Sequence, residues 1–284
     1  MLSMIATEFE FDGISSSAYG LYICSFDGVK NGTGTLGNEV TFNTAKSPKN
    51  NRWIYTDSVY ENPLTFTFQC LKYDCNTGST PIGARELARI MRWLVRSDGY
   101  HYLRFKHNEW DNVFYNAQLK LQKHEIAGQI NGFEIEVTCD APWGYSEMKE
   151  FSFHYNDVNK IKTFTLYNYS DEDGSLLPEL IKIEVLENCD LIISNTFNID
   201  GDERNQLINH TAINNCKNGE ILYMDKDLNI LSDGNEYLHT TLSDDFNYSF
   251  LTLYSDYKSA KNTITASHAC NITINWREIR KGVC

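Results

Sequence analysis

The 284-residue chain carries 25 basic and 38 acidic side chains, a formal net charge of −13, with 42% hydrophobic and 13% aromatic residues, 5 Pro and 17 Gly. That composition belongs to folded domains, with length for two of ordinary size, and excludes a disordered or collagenous chain. The acidic balance argues against tight non-specific nucleic-acid binding, in which Lys and Arg displace counterions, and no stretch approaches the ~20 apolar residues of a membrane span.

The start, MLSMIATEFEFDG, turns acidic without a basic region, so no secretion signal is expected. Residues 9–28, FEFDGISSSAYGLYICSFDG, alternate aromatic and polar side chains with Gly and Ser punctuation, which predicts two strands and a turn. Strand patterns continue to residue 75, most cleanly where Leu64, Phe66, Phe68 and Cys70 share one face. A helix is predicted next. Ser79 or Thr80 offers its N-cap, Pro81 suits the first turn and Gly99 its stop. Leu87, Ile90, Met91 and Leu94 form the apolar face, and Arg85, Arg89, Arg92 and Arg96 the other. The Arg stripe reads as a solvated face or as a subunit contact with an acidic neighbour.

Tyr100–Lys106, Val113–Lys123 and Ile130–Cys139 are further strands, and CDAPWGYSE at 139–147 breaks the pattern. The domains are therefore expected at 1–140 and 141–284. The first holds 13 bases and 16 acids, the second 12 and 22, so the charge is uneven. No helix is predicted in the second half. Alternating runs such as Phe151/Phe153, Ile181/Ile183/Val185 and Ile272/Ile274/Trp276, spaced by turns, predict a β-sandwich of jelly-roll type.

Motifs for chemistry are weak. Gly32-Thr-Gly34-Thr-Leu-Gly37 matches a dinucleotide string, but a strand pattern follows where a helix is needed. Asp225, Asp227, Asn229, Asp233 and Glu236 fall at calcium-loop positions, yet Ile230 stands where the sharp turn wants Gly and the flanks are strand-like. No metal site is expected there. The eight cysteines (24, 70, 75, 139, 189, 216, 270 and 284) are scattered, and read mostly as buried thiols of a chain made in a reducing cytosol. Cys70 and Cys75 are the one close pair, without a second pair to complete a zinc site. There is no GxSxG or HExxH frame, so no catalytic or cofactor-binding residue is nominated, and an enzyme is not expected. Five Asn-x-Ser/Thr triplets, at Asn31, Asn168, Asn209, Asn247 and Asn271, signify only an Asn-rich composition.

The order of parts carries a resemblance. Phe11-Asp12-Gly13-Ile14 with Tyr19-Gly20, then Ala141-Pro142-Trp143-Gly144-Tyr145, then Gly219 through Asp225, then Trp276-Arg277-Glu278 is similar to the distal tail protein of long-tailed siphophages, the baseplate hub. The resemblance implies a mainly β chain. Its N-terminal domain would be a tail-tube-like β-sandwich with one flanking helix, closing into a homohexameric ring, and its C-terminal domain a galectin-like sandwich outside the ring. It further implies a virion protein at the tail tip. Its partners would be the tail tube protein, the tail-associated fibre or lysin protein, receptor-binding proteins and DNA passing unbound through the lumen. On this reading the leading strands gain missing edge neighbours from sister copies, and a mildly acidic first half keeps phosphate off the channel wall. The chain leaves no room for an inserted carbohydrate-binding module. The alternative is a carbohydrate-binding host adhesin, with Tyr237, Tyr248, Tyr254 and Tyr257 stacking on sugar rings.

Overall fold

A computed structural model describes residues 7–25, 39–46, 52–74, 78–106, 113–155, 162–233 and 239–281. The chain divides into two compact units: Met1–Ser146 together with Arg280–Cys284, and Glu147–Ile279.

In unit 1 the strands are β1 (Glu8–Phe11), β2 (Leu21–Cys24), β3 (Val40–Lys46), β4 (Trp53–Tyr60), β5 (Thr65–Asp74), β6 (His101–Lys106), β7 (Phe114–Ile126) and β8 (Gln129–Cys139), with helix α1 (Ala84–Leu94) between β5 and β6. One antiparallel sheet runs β1-β6-β7-β8-β5-β2, extended beyond β1 by the two-residue strand Ile14–Ser15. Period-2 alternation puts Phe9, Phe11, Phe68, Cys70, Leu103, Phe133, Ile135 and Val137 into a common core. Ala127 and Gly128, both at positive φ (52° and 77°), make the two-residue turn between β7 and β8, where both central residues need that conformation. Gly132 lies at a register shift in β8, so close to its neighbour that a Cβ would stand 2.2 Å from the Cys70 carbonyl oxygen.

The sheet does not leave its leading strands open in the way expected from sequence. Ile14–Ser15 covers the outer side of β1, and the Ile23 N–H of β2 donates to the Thr7 carbonyl at 3.0 Å. The two ends of the sheet thus meet within one chain. Among the described strands of unit 1, β3 and β4 pair only with each other.

The helix also departs from expectation. It begins at Ala84 after Gly83, without a side-chain cap, because Ser79 is held in a short ladder with Tyr73. Its buried residues are Ile90, Trp93 and Leu94, with Leu87 half-buried, while Met91 is exposed. At 100° per residue Met91 is turned away from the line through Leu87, Ile90 and Leu94. Trp93 takes its place in the core. Its ring stacks on Phe9 (5.8 Å) and Tyr19 (4.8 Å), and its Nε1–H donates to the Phe11 carbonyl at 2.9 Å.

Unit 2 is a sandwich. One sheet runs β9 (Lys149–Phe153), β17 (Cys270–Trp276), β11 (Leu180–Val185), β14 (Ile221–Asp225) and β15 (Ile230–Asp233). The other runs β10 (Thr163–Tyr167), β16 (Lys261–Ala266), β12 (Cys189–Asn198) and β13 (Gln206–Cys216). Ile181, Ile183, Leu222, Ile272 and Ile274 from the first face Leu191, Ile193, Ile213 and Ile264 from the second in one core. The Phe164 ring lies against Phe151 (5.1 Å) and Phe153 (4.8 Å), joining the two sheets. A four-residue helix, Leu242–Asp245, was not expected from the sequence.

Candidate assembly interface

β3 and β4 form a two-stranded sheet of their own and pair with no other strand among the described residues. The register places Val40 with Tyr60, Phe42 with Ser58, Thr44 with Tyr55 and Lys46 with Trp53, so these residues share one face. Thr56 is the extra residue where the register shifts, and its hydroxyl donates to the Asn43 carbonyl at 2.8 Å. That shift keeps Tyr55 and Trp53 beside Phe42. Their exposures are high, 67% for Phe42, 63% for Trp53 and 59% for Tyr55. Phe42 meets Tyr55 edge-on at 6.2 Å, and the Lys46 ammonium sits 5.8 Å from the Trp53 ring centre. An isolated two-stranded hairpin is marginal in water, and an exposed aromatic face with open edges is the pattern of an unmet partner. At its base, Tyr60 packs edge-on against Trp143 at 5.5 Å.

The predicted Arg stripe is split. Arg85, Arg89 and Arg92 are exposed on α1. Arg96 follows the helix and is committed within the chain. Its Nη1–H donates to Asp12 at 3.0 Å, and its Nε–H and Nη2–H donate to Asp98 at 2.9 and 2.5 Å. The hydrogen bonds from Arg96 and then His101 hold the Asp98 carboxyl well below the ordinary carboxylate range. Arg85, Arg89 and Arg92 make no ion pair among the described residues, so a cationic surface of three side chains remains.

The calcium-like positions are occupied by turn chemistry. The Asp225 carboxylate accepts the Asp227 and Asn229 backbone N–H groups, each at 3.0 Å, and the Asn229 side-chain amide. Partial burial works to raise its pKa, but the bonds from Asn229 and Asp227 leave the group lowered overall. Asp233 ends β15, and Glu236 lies outside the described residues. No group of three or more metal-type ligands converges among the described residues. Of the tyrosines weighed for sugar stacking, Tyr257 is 91% exposed. Tyr248 is exposed at φ 56°, its hydroxyl donating to the Ser243 carbonyl, while Tyr254 is half-buried against Phe197. Tyr237, the Gly32–Gly37 string, Cys75 and Cys284 lie outside the described residues. No described helix is long and apolar enough to cross a membrane.

The hairpin face was missed by sequence reasoning. Its aromatics were read as ordinary strand residues, and the signal available was that Trp53-Ile54-Tyr55 packs three large side chains in succession, which no half-buried strand requires.

Family comparison gives these surfaces a setting. Residues 4–141 match the model described as a phage tail protein N-terminal domain, and residues 143–276 the model described as a phage tail C-terminal domain. The chain belongs to this family of phage tail proteins, and is a component of the virion tail. Its mainly β fold is that of the SPP1 Dit protein, a paradigm of the hub adsorption apparatus in phages infecting Gram-positive bacteria, with TM-score 0.55 and 9% identity over 95% of this chain and 98% of that one. The expected membership among phage tail proteins is met by the family models, and the expected mainly β fold by the likeness to SPP1 Dit. A chain of the phage P2 baseplate in its activated conformation with Ca aligns with TM-score 0.48 and 11% identity over 90% of each chain. No curated protein matches the chain.

Proposed function

We propose that the protein is a structural baseplate hub: a homohexameric ring, built by unit 1, that joins the tail tube to the tail-tip protein and lets DNA pass. The observation that carries this reading is the exposed aromatic face of the β3–β4 hairpin, whose edges have no partner strand among the described residues. A sister copy supplies what is missing. Burial of three large aromatics at each contact is worth about 1.5–3 kcal/mol per side chain, enough that repeated contacts around a closed ring add to a stable assembly. Exposed Arg85, Arg89 and Arg92 offer a second contact to an acidic neighbour. The tail tube above, the tail-associated fibre or lysin protein below, and receptor-binding proteins on the galectin-like unit 2 are the partners this role requires. The role is a non-enzymatic one.

Native mass spectrometry of the purified full-length chain tests the proposal. Six copies are expected. A monomer at micromolar concentration and above, alone and mixed with tail components, overturns it. Carbohydrate binding by unit 2 has one observation in its favour: Tyr167 and Tyr169 stack in parallel at 5.8 Å and are both exposed. Titration against host cell-wall polysaccharide decides it, and no change on titration removes it.

A further inference from the structure

Three cysteines widely separated in sequence come together in unit 2. Cys189 opens β12, Cys216 ends β13 and Cys270 opens β17. The β12–β13 register sets Cys189 directly opposite Cys216. Cys216 and Cys270 are part of the core, and Cys189 is half-buried against it. We propose that Cys189 and Cys216 form a cross-strand disulfide once the virion passes from the reducing cytosol of its host to an oxidising medium.

Geometry favours this pair. Directly opposite residues of an antiparallel ladder have Cα atoms about 4.5 or 5.5 Å apart, inside the ~4.4–6.8 Å span of protein disulfides. The register shift between Cys189 and Leu191 leaves that end of β12 free of strict pairing, so small adjustments of the Cys189 side chain cost little. Cys270 belongs to the facing sheet and is the competing partner. Unit 1 contains an instructive contrast: Cys70 is opposite Ile23, and Cys24 is opposite Gln69. Those two thiols sit one register step apart, on opposite faces of the sheet, and cannot be joined without breaking the ladder.

Half-exposed Cys189 is where a small oxidant reaches the pair. With a disulfide such as oxidised glutathione, the Cys189 thiolate attacks one sulfur and displaces a glutathione thiolate, which takes up a proton. The Cys216 thiolate then attacks Cys189 Sγ, closing the protein disulfide and releasing the second glutathione. Two protein thiols are oxidised and one glutathione disulfide is reduced. Burial pushes the Cys189 thiol up to about 11 and the Cys216 thiol up to about 12, so thiolate is scarce at neutral pH and closure is slow there, faster in mild alkali.

The test uses the full-length chain, incubated with oxidised glutathione at mildly alkaline pH, alkylated and digested with trypsin without reduction. Cleavage after Lys182, Arg204 and Lys217 separates Cys189 (peptide 183–204) from Cys216 (205–217), with Cys270 in 262–277. A linked 183–204/205–217 pair that reduction splits, and a higher melting temperature for the oxidised chain, are expected. Cys189→Ser, at the half-exposed position that tolerates change, must abolish both. Full alkylation of Cys189 and Cys216 after oxidation, or a dominant link from Cys189 to the Cys270 peptide, overturns the proposal.

Discussion

His239 Nδ1 lies 2.9 Å from Glu220 Oε1, and neither side chain has any solvent exposure. On the far side of the ring, Nε2 is 3.0 Å from Asp245 Oδ2. Glu220 also accepts from the Ser232 hydroxyl and the Lys217 N–H, and Asp245 from Thr241 and Asn215. Each carboxylate thus gathers several polar groups around one imidazole ring. His239 therefore ties Glu220, just before β14, to the Leu242–Asp245 turn. Replacing it with Ala strands a buried carboxylate and is expected to cost ~3–5 kcal/mol, whereas a double replacement of His239 and Glu220 by Leu costs less than the single change. Urea unfolding of the three chains checks the order.

The same cluster sets an acid limit. Hydrogen bonds from Thr241, His239 and Asn215 bring the Asp245 carboxyl down from 3.8 to about 2. A carboxyl lowered in the folded state takes up protons more readily when unfolded. Its stabilising contribution is complete above the unfolded value and is lost as pH falls through the folded one. Melting temperature should thus decline between pH about 4 and 2, and Asp245→Asn should flatten that decline. An unchanged slope in the variant would assign the acid limit to other groups.

Glycine at 132 is a steric requirement. A methyl group there would overlap the Cys70 carbonyl and the Leu71 side chain and backbone. Gly132→Ala should lower stability by ~3 kcal/mol or more, since backbone rather than a flexible side chain must move. Ala127→Gly, at the positive-φ position of the β7–β8 turn, should instead be neutral or stabilising by up to ~1 kcal/mol. The denaturant midpoint of Gly132→Ala is expected below the parent's and that of Ala127→Gly at or above it.

Changing Phe42, Trp53 and Tyr55 together to Ser should leave the thermal unfolding of the isolated chain nearly unchanged, because these side chains are mostly exposed, yet reduce assembly. Light-scattering mass at matched concentrations is the measurement. Equal oligomer size in parent and triple variant would remove the hairpin from the interface.

The Arg stripe separates into two outcomes. Arg89→Glu with Arg92→Glu should weaken assembly without affecting the fold. Arg96→Glu should destabilise unit 1 itself, since it sets a third acid beside Asp12 and Asp98. Exposed ion pairs contribute only ~0–1 kcal/mol each, so a clear loss of assembly requires that Arg89 or Arg92 be covered in the interface.

Much of this was legible because strand periodicity survives in the text. Leu64, Phe66, Phe68 and Cys70 were readable as one face, and all contribute to the core of unit 1. The mainly β class and the single long helix followed from such runs. Met91 was misplaced because Leu, Ile and Met look alike in a list, and only docking decides which 100° sector turns inward. Trp93 was overlooked for the complementary reason: its partners Phe9 and Tyr19 lie more than 70 residues away. Asn247 shows a third limit. Read as part of an Asn-rich composition, it accepts the Ala212 N–H and donates to the His210 carbonyl, capping the outer edge of β13. A side chain acting as a surrogate strand leaves no periodic trace. Neither does the Glu220–His239–Asp245 line, whose members are spaced without pattern.

The stacking of Trp93 between Phe9 and Tyr19 also bears on the order in which the polypeptide matures. A solitary eleven-residue helix is marginal in water, so α1 gains permanence only on docking. The leading strand must therefore wait, during synthesis, until some eighty more residues have emerged before its aromatic rings find their lid. Through that interval Phe9 and Phe11 stay sticky, and a holding chaperone or rapid translation of this stretch would raise the yield of soluble chain.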